Sequence, residues 1–224
     1  MFYKIALDGP SGAGKSSLAK RIAKELSIVY VDTGAMYRTI GLYVTRKGVR
    51  PDEEQKVISL LPEIKLSVCF RDGEQHILLG DEDVGGYIRT PEISMAASRV
   101  SAIPAVRSFL LDTQRDLAKK NSVIMDGRDI GTVIFPDAEV KIFLTASAEA
   151  RARRRTLELA EKGLNTPYEE VLRDIITRDK NDSEREVAPA VAAADAVILD
   201  NSDLDLEGTV AEAIRIIRSR ITEV

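Results

Sequence analysis

The chain has 224 residues, 44% hydrophobic and 30% charged, the profile of an ordinary soluble globular protein of one or two domains. Its 32 Lys and Arg against 36 Asp and Glu leave a net charge of -4, so the overall field favours neither nucleic acid nor an anionic membrane, and any basic site is a local cluster. One cysteine (Cys69), no Trp, 5% aromatics and no apolar run near the roughly 20 residues that span a bilayer argue against an internal disulfide, base-stacking platforms and a transmembrane segment.

The N-terminal MFYKIALDGPSG lacks the apolar stretch of a signal peptide, and a cytoplasmic location is expected. Short apolar runs at 4–7, 28–31, 123–125, 140–144 and 196–199 predict five buried strands. Most are near-continuous rather than alternating, the pattern of strands covered on both faces in a parallel α/β sheet. Leu18, Ile22 and Leu26 repeat at helical spacing after the first run, and Ala211, Ile214, Ile217, Arg218 and Ile221 predict an amphipathic C-terminal helix.

The segment 64–70 breaks this rhythm. Ile64, Leu66, Val68 and Phe70 alternate with Lys65, Ser67 and Cys69, and Asp72-Gly73 precedes Ile77 and Leu79, which predicts a β-hairpin with one dry face. We take 60–95 as an inserted small subdomain in a core formed by 1–59 and 96–224. His76 falls on an exposed hairpin position, and Ala188 to Ala194 is expected to pack against the sheet before the last strand.

Gly9-Pro10-Ser11-Gly12-Ala13-Gly14-Lys15-Ser16 matches G-x-x-x-x-G-K-[ST] in full, between the first strand and the first helix. Glycines let backbone N–H groups approach phosphate oxygens at a helix N-terminus whose dipole favours an anion. Lys15 would then reach the β- and γ-phosphates and Ser16 would ligate Mg²⁺. The loop implies a nucleoside triphosphate and leaves GTPases, motor ATPases and small-molecule kinases open.

The acceptor is sought in an arginine-rich set. Arg38 follows the second strand in Asp32-Thr33-Gly34-Ala35-Met36-Tyr37-Arg38, where it could clamp a phosphate. Asp126-Gly127-Arg128-Asp129 puts carboxylates at a strand's C-terminal end in the manner of a Walker B segment, the edge of a parallel sheet where ligands bind. Either Asp126 or Asp129 could hold metal-bound water.

In a helix predicted over 169–183, Arg178, Asp182 and Arg185 follow at i, i+4 and i+7, on one face. Arg151, Arg153, Arg154 and Arg155, in a segment ended by Lys162-Gly163, suggest a mobile lid over phosphates at about 150–165, with Arg151 and Arg155 reaching the transferred group. A nucleic-acid patch is the rival reading of that cluster. A regulatory GTPase would carry Asn-Lys-x-Asp, which Lys180-Asn181-Asp182 is not.

Taken together, GPSGAGKSS, DTGAMYR, DGRDIGTVIFPDA and RDKNDSEREVAP make the sequence resemble the bacterial cytidylate kinases, a family of nucleoside monophosphate kinases, over essentially its whole length. The resemblance implies a P-loop NTPase fold, with a five-stranded parallel sheet flanked by helices, a small antiparallel monophosphate-binding subdomain and a helical lid. It implies transfer of the ATP γ-phosphoryl to CMP or dCMP, with Mg²⁺, by a monomer that engages no nucleic acid and no membrane. Gly9 to Ser16 together with Ser17 would bind ATP. Arg38, Arg128 and Arg185 would hold the acceptor phosphate, Ser98, Arg107 and Asp129 would read cytosine, and Tyr37, Arg178 and Asp182 would sit at the ribose, with Thr33 among the substrate contacts.

Overall fold

The computed structural model describes residues 2–71, 73–161 and 163–221. Asp72 of the expected hairpin turn and Lys162 of the expected helix end lie outside the described residues. By contacts the chain divides into two compact units, Met1–Ile28 with Ser122–Val224, and Val29–Asn121. A five-stranded sheet runs in the order Val29–Asp32, Val123–Asp126, Lys4–Asp8, Val140–Thr145, Val197–Asp200, and a three-stranded sheet in the order Leu66–Arg71, Glu74–Leu79, Glu82–Asp83.

The first unit holds β1 (Lys4–Asp8), α1 (Lys15–Leu26), β6 (Val123–Asp126), β7 (Val140–Thr145), α6 (Ala148–Glu161), α7 (Tyr168–Glu184), β8 (Val197–Asp200) and α8 (Leu206–Arg220). The β6–β1, β1–β7 and β7–β8 ladders are all parallel, as the unbroken apolar runs predict. Ile5, Leu7, Ile124, Met125 and Ile142 from the strands and Leu18 and Ile22 from α1 are fully buried and form the core beneath the phosphate loop. A π-helical turn, Ile130–Ile134, follows β6, and such turns often mark functional segments.

Two expectations in this unit are corrected. The buried face of α8 is Val210, Ala213, Ile214, Ile216 and Ile217, whereas Ala211 and Arg218 point to solvent, because Asp205 caps the helix at Gly208 N and so fixes its phase. Residues 188–194 are exposed or half-buried rather than packed as core. Ala188 adopts φ 50°, its carbonyl accepts from Arg185 Nε and Ala190 N–H donates to Asp182 O at 2.8 Å, so this stretch folds back on the end of α7.

The second unit holds β2 (Val29–Asp32), α2 (Thr33–Arg46), α3 (Glu54–Leu60), β3 (Leu66–Arg71), β4 (Glu74–Leu79), β5 (Glu82–Asp83), α4 (Pro91–Val100) and α5 (Pro104–Leu117). Asp32 ends β2 and caps α2, its side chain accepting from Ala35 N at 2.9 Å. Thr90 and Pro91 start α4 as cap and first-turn proline. At Gly41 of α2 a Cβ would come within 3.1 Å of Ala96 Cβ and of Ala97 N, so glycine permits the close approach of α2 and α4.

The hairpin pairs Val68 with Ile77 and Arg71 with Glu74, as expected from its alternation. The short β5, carrying only two residues, extends it to three strands without an apolar signal of its own. Ile77 is buried and Leu66 and Val68 are half-buried, but Phe70, at the hairpin's end, is 36% exposed, so the dry face does not run its full length. No helix among the described residues is long and apolar enough to cross a membrane.

Candidate active site

The phosphate loop connects β1 to α1, with Gly9, Gly12 and Gly14 all at positive φ. A Cβ on Gly9 would lie 1.9 Å from Leu144 O, so no side chain fits there and the loop crosses directly over β7. Arg151 and Asn201 brace it from outside. Arg151 donates to Ser11 O and Ala146 O, both at 2.9 Å, and Asn201 Nδ2 donates to Ala13 O at 3.1 Å.

Lys15 is buried, and its ammonium donates to Gly9 O at 2.8 Å and Pro10 O at 2.7 Å. Burial, then the nearby charge of Arg128, holds its pKa well below the usual lysine range, with Asp126 and Asp8 opposing and Arg178 adding to the depression. Arg128 and Arg178 thus add positive charge at Lys15, only partly opposed by the two carboxylates, and such a field favours an anion. Ser16 Oγ donates to Asp126 Oδ2 at 2.9 Å, setting a hydroxyl beside a carboxylate at the mouth of α1.

Of the two carboxylates that sequence left open, Asp126 is the one bonded to Ser16. This pair of hard oxygen donors fits Mg²⁺, which keeps waters and phosphate oxygens as its other ligands. Among the described residues no cluster of three or more His, Cys, Asp or Glu could cage a metal alone.

The strand-end residues pair with residues of α7 and just beyond it. Arg128 Nε donates to Asp182 Oδ2 at 3.0 Å, and Arg185 Nη2 lies 3.9 Å from Asp129 Oδ1, both carboxylates being buried. Arg185, however, stands beyond the end of α7 in an extended conformation, so it reaches Asp129 from the chain after the helix and not from the helical face.

In the arginine cluster, Arg151 is buried and pairs with Asp179 at 2.6 Å. Arg154 donates to Asn201 Oδ1 and O and to Leu204 O, and Arg155 pairs with Glu158 at 3.0 Å near the surface. Arg153 is exposed. Three of the four arginines therefore spend donors on the protein itself, which a solvated nucleic-acid patch would not require.

Thr33, Tyr37, Arg38, Ser98 and Arg107 belong to the other unit. Arg38 Nη2 pairs with Asp32 Oδ2 at 2.7 Å, while its Nε is buried without a hydrogen-bond partner. The Arg107 guanidinium is buried over the Tyr37 ring, 5.5 Å from its centroid, and donates to Ser101 O at 3.1 Å. Thr33 and Tyr37 are buried on α2 and Ser98 is half-buried on α4. Gln75 of β4 joins this group by an amide bridge, accepting from Asp32 N at 2.8 Å and donating to Asp32 O at 3.1 Å.

The family model for cytidylate kinase matches residues 5–219, nearly the whole chain. The chain belongs to the cytidylate kinase family. A relative named cytidylate kinase from Caldicellulosiruptor saccharolyticus is 48% identical over 212 residues, spanning 95% of this chain and 94% of its own. Another of that name, from Thermosipho melanesiensis, is 46% identical over 217 residues and 97% of each chain. A crystal structure of an uncharacterised protein from Eubacterium ventriosum superposes with a TM-score of 0.54 at 12% identity, covering 97% of this chain and 99% of its own, a likeness of fold.

Family membership makes the chain an enzyme, a nucleoside monophosphate kinase. Sequence reasoning gave no role to several groups that the structure places within or beside the family motifs: Asp8, Asp32, Gln75, Asp179 and Asn201. Asp8 and Asp32 were visible as polar residues closing apolar runs. Gln75 and Asn201 carried no signal, because an amide on a backbone group has no fixed sequence spacing.

Proposed function

We propose that the enzyme transfers the γ-phosphoryl group of ATP to CMP or dCMP, giving ADP and CDP or dCDP. The observation that carries this reading is the buried Lys15 of the phosphate loop, which feels the charges of Arg128 and Arg178, together with the Arg128–Asp182 and Arg185–Asp129 pairs. Two anions must be brought together, and a cationic field with few solvent-facing donors offsets their repulsion.

The acceptor is a phosphate oxygen, already largely ionised near neutral pH because a phosphomonoester has a second pKa of about 6. No general base is needed. The oxygen attacks the γ-phosphorus of ATP, the bond to the β-phosphate bridging oxygen breaks, and ADP leaves with that electron pair. Gly9 to Ser17 bind the triphosphate, whose oxygens compete with Gly9 O and Pro10 O for the Lys15 ammonium. Ser16 and Asp126 would hold Mg²⁺ directly or through water, and the bound ion would supply charge neutralisation for the triphosphate.

Arg38, Arg128 and Arg185 hold the acceptor phosphate, and the unpartnered Arg38 Nε is a donor that a phosphate oxygen satisfies. Tyr37, Arg178 and Asp182 take the ribose side, with Thr33 nearby in sequence. Asp129 accepts from the cytosine N4 amino group, and Arg107 and Ser98 donate to O2 and N3. Arg151 and Arg155, on the helical segment at about 150–165, serve the transferred phosphoryl group, Arg151 from its place against Ser11. In this reading 60–95 is the monophosphate-binding insert, and the enzyme works as a cytoplasmic monomer on small molecules.

Product identity tests the reaction. With γ-labelled MgATP and CMP, label is expected in CDP. Label released as orthophosphate irrespective of CMP would make the protein an ATPase and overturn the reading.

A further inference from the structure

One buried charge at the join of β1 and the phosphate loop has no place in the chemistry above. Asp8 is 4% exposed, and its two oxygens accept from successive backbone amides, Oδ1 from Ile130 N–H and Oδ2 from Gly131 N–H, each at 2.8 Å. These are the first amides of the π-helical turn Ile130–Ile134, and the residues just before them are Arg128 and Asp129. Asp129 has φ −144° and ψ 27°, outside regular helix or strand geometry, so the segment is shaped by what holds it and not by a continuing ladder.

The chemistry of the acceptor explains the residue type. Two N–H groups on neighbouring residues need two oxygens on one rigid group, which a carboxylate supplies and an amide does not. The Lys141 stem confines the turn as well: a Cβ on Gly131 would come within 3.1 Å of Lys141 Cδ and 3.3 Å of Lys141 Cγ. Asp8 also feels the charges of Asp129 and Lys15, which links it to the acceptor side and to the phosphate loop.

We propose that Asp8 is a positioning residue for acceptor recognition, clamping the amides of Ile130 and Gly131 so that Arg128 and Asp129 are held at the end of β6. This rests on the assignment of those two residues to the CMP phosphate and base. A residue serving only the phosphate loop would act on ATP instead, and one serving only the fold would act on both substrates alike.

Asp8→Asn keeps the shape and removes one of the two acceptors. It is expected to raise KM for CMP about tenfold while the Kd of MgATP changes by less than about threefold. Gly131→Ala, whose Cβ would press on the Lys141 stem at 3.1 Å and so push on the clamped turn with Asp8 intact, is expected to give the same split, and the double variant to lose less than the product of the two. Amide exchange of the substrate-free protein should accelerate at 130–134 in Asp8→Asn and stay unchanged at 9–15.

Equal losses toward ATP and CMP in both variants, or unchanged exchange at 130 and 131, would overturn the proposal. Failure of the wild-type protein to phosphorylate CMP would instead remove the acceptor assignment. The exchange measurement would then still decide whether Asp8 holds the segment. Should Asp8→Asn not fold, Gly131→Ala carries the same test.

Discussion

At the scale of single residues, the site is built from groups that the fold buries against their solvation preference. Lys15 is held below its ordinary pKa by burial and by Arg128, so removing it relieves a cost to the fold while deleting the donor proposed for the transferred group. Lys15→Ala is expected to lose on the order of 10²–10³ or more in kcat and to melt no lower than wild type in a thermal scan. Arg128→Ala should lose transfer by a comparable factor without unfolding. Near-normal turnover in either contradicts the assignment. Asp129→Ala should cripple turnover with CMP and leave MgATP affinity, measured by calorimetry, little changed. Asp8 adds a pH signature: burial raises its carboxyl from 3.8 to about 6. The native state therefore binds more protons than the unfolded state between those values. The stability it contributes is present in full below the unfolded pKa and is lost as pH rises through about 6. In urea titrations Asp8→Asn should gain on wild type from about pH 4 to about pH 6 and hold that gain above it. A gain that falls with rising pH would contradict the burial argument.

At the scale of elements, the parallel strands were legible almost to the residue because apolar runs covered on both faces leave an unbroken signature. Each expected run stops one residue short, and the reason is functional. The strands continue through Asp8, Asp32, Asp126, Thr145 and Asp200, polar residues that keep ladder or cap geometry at the edge where ligands bind. Hydrophobicity ends there, whereas the backbone bonding does not. The phase of α8 and the extended course of Arg185 were not legible, since one is set by the Asp205 cap and the other by the Ala188 turn. The joint between β4 and the end of β2 was equally silent. Gln75 bridges both backbone groups of Asp32, and Asp32 holds Arg38. Gln75→Ala is expected to cost about 1–2 kcal/mol in chemical denaturation and to raise KM for the acceptor several-fold, with the affinity for MgATP unaltered. Unchanged acceptor KM would show that Arg38 does not depend on this bridge.

At the scale of the whole molecule, the sequence was informative where chemistry demands a fixed spacing and uninformative where it demands only proximity. The phosphate loop is a single contiguous segment, so its glycines, Lys15 and Ser16 could be read directly. The pairs Arg128–Asp182 and Arg185–Asp129 join residues more than fifty positions apart, so strand-end position and helical spacing singled out the residues but not which of them pair. The same limit applies to base selection, which is argued from donors and acceptors on Asp129, Arg107 and Ser98. In the proposed reading cytosine would present an N4 donor to Asp129, whereas uracil would present O4, an acceptor, and the mismatch would cost roughly 1–3 kcal/mol or more. That is about 5- to 150-fold in kcat/KM. The decisive measurement is ADP formation from MgATP with CMP, dCMP, UMP, AMP and GMP supplied separately, beside a control without acceptor. Fast turnover with CMP and dCMP, UMP slower by that factor, and little with purines or without acceptor is the predicted result. Equal rates with CMP and UMP would contradict the base reading, and turnover independent of any acceptor would contradict the kinase itself.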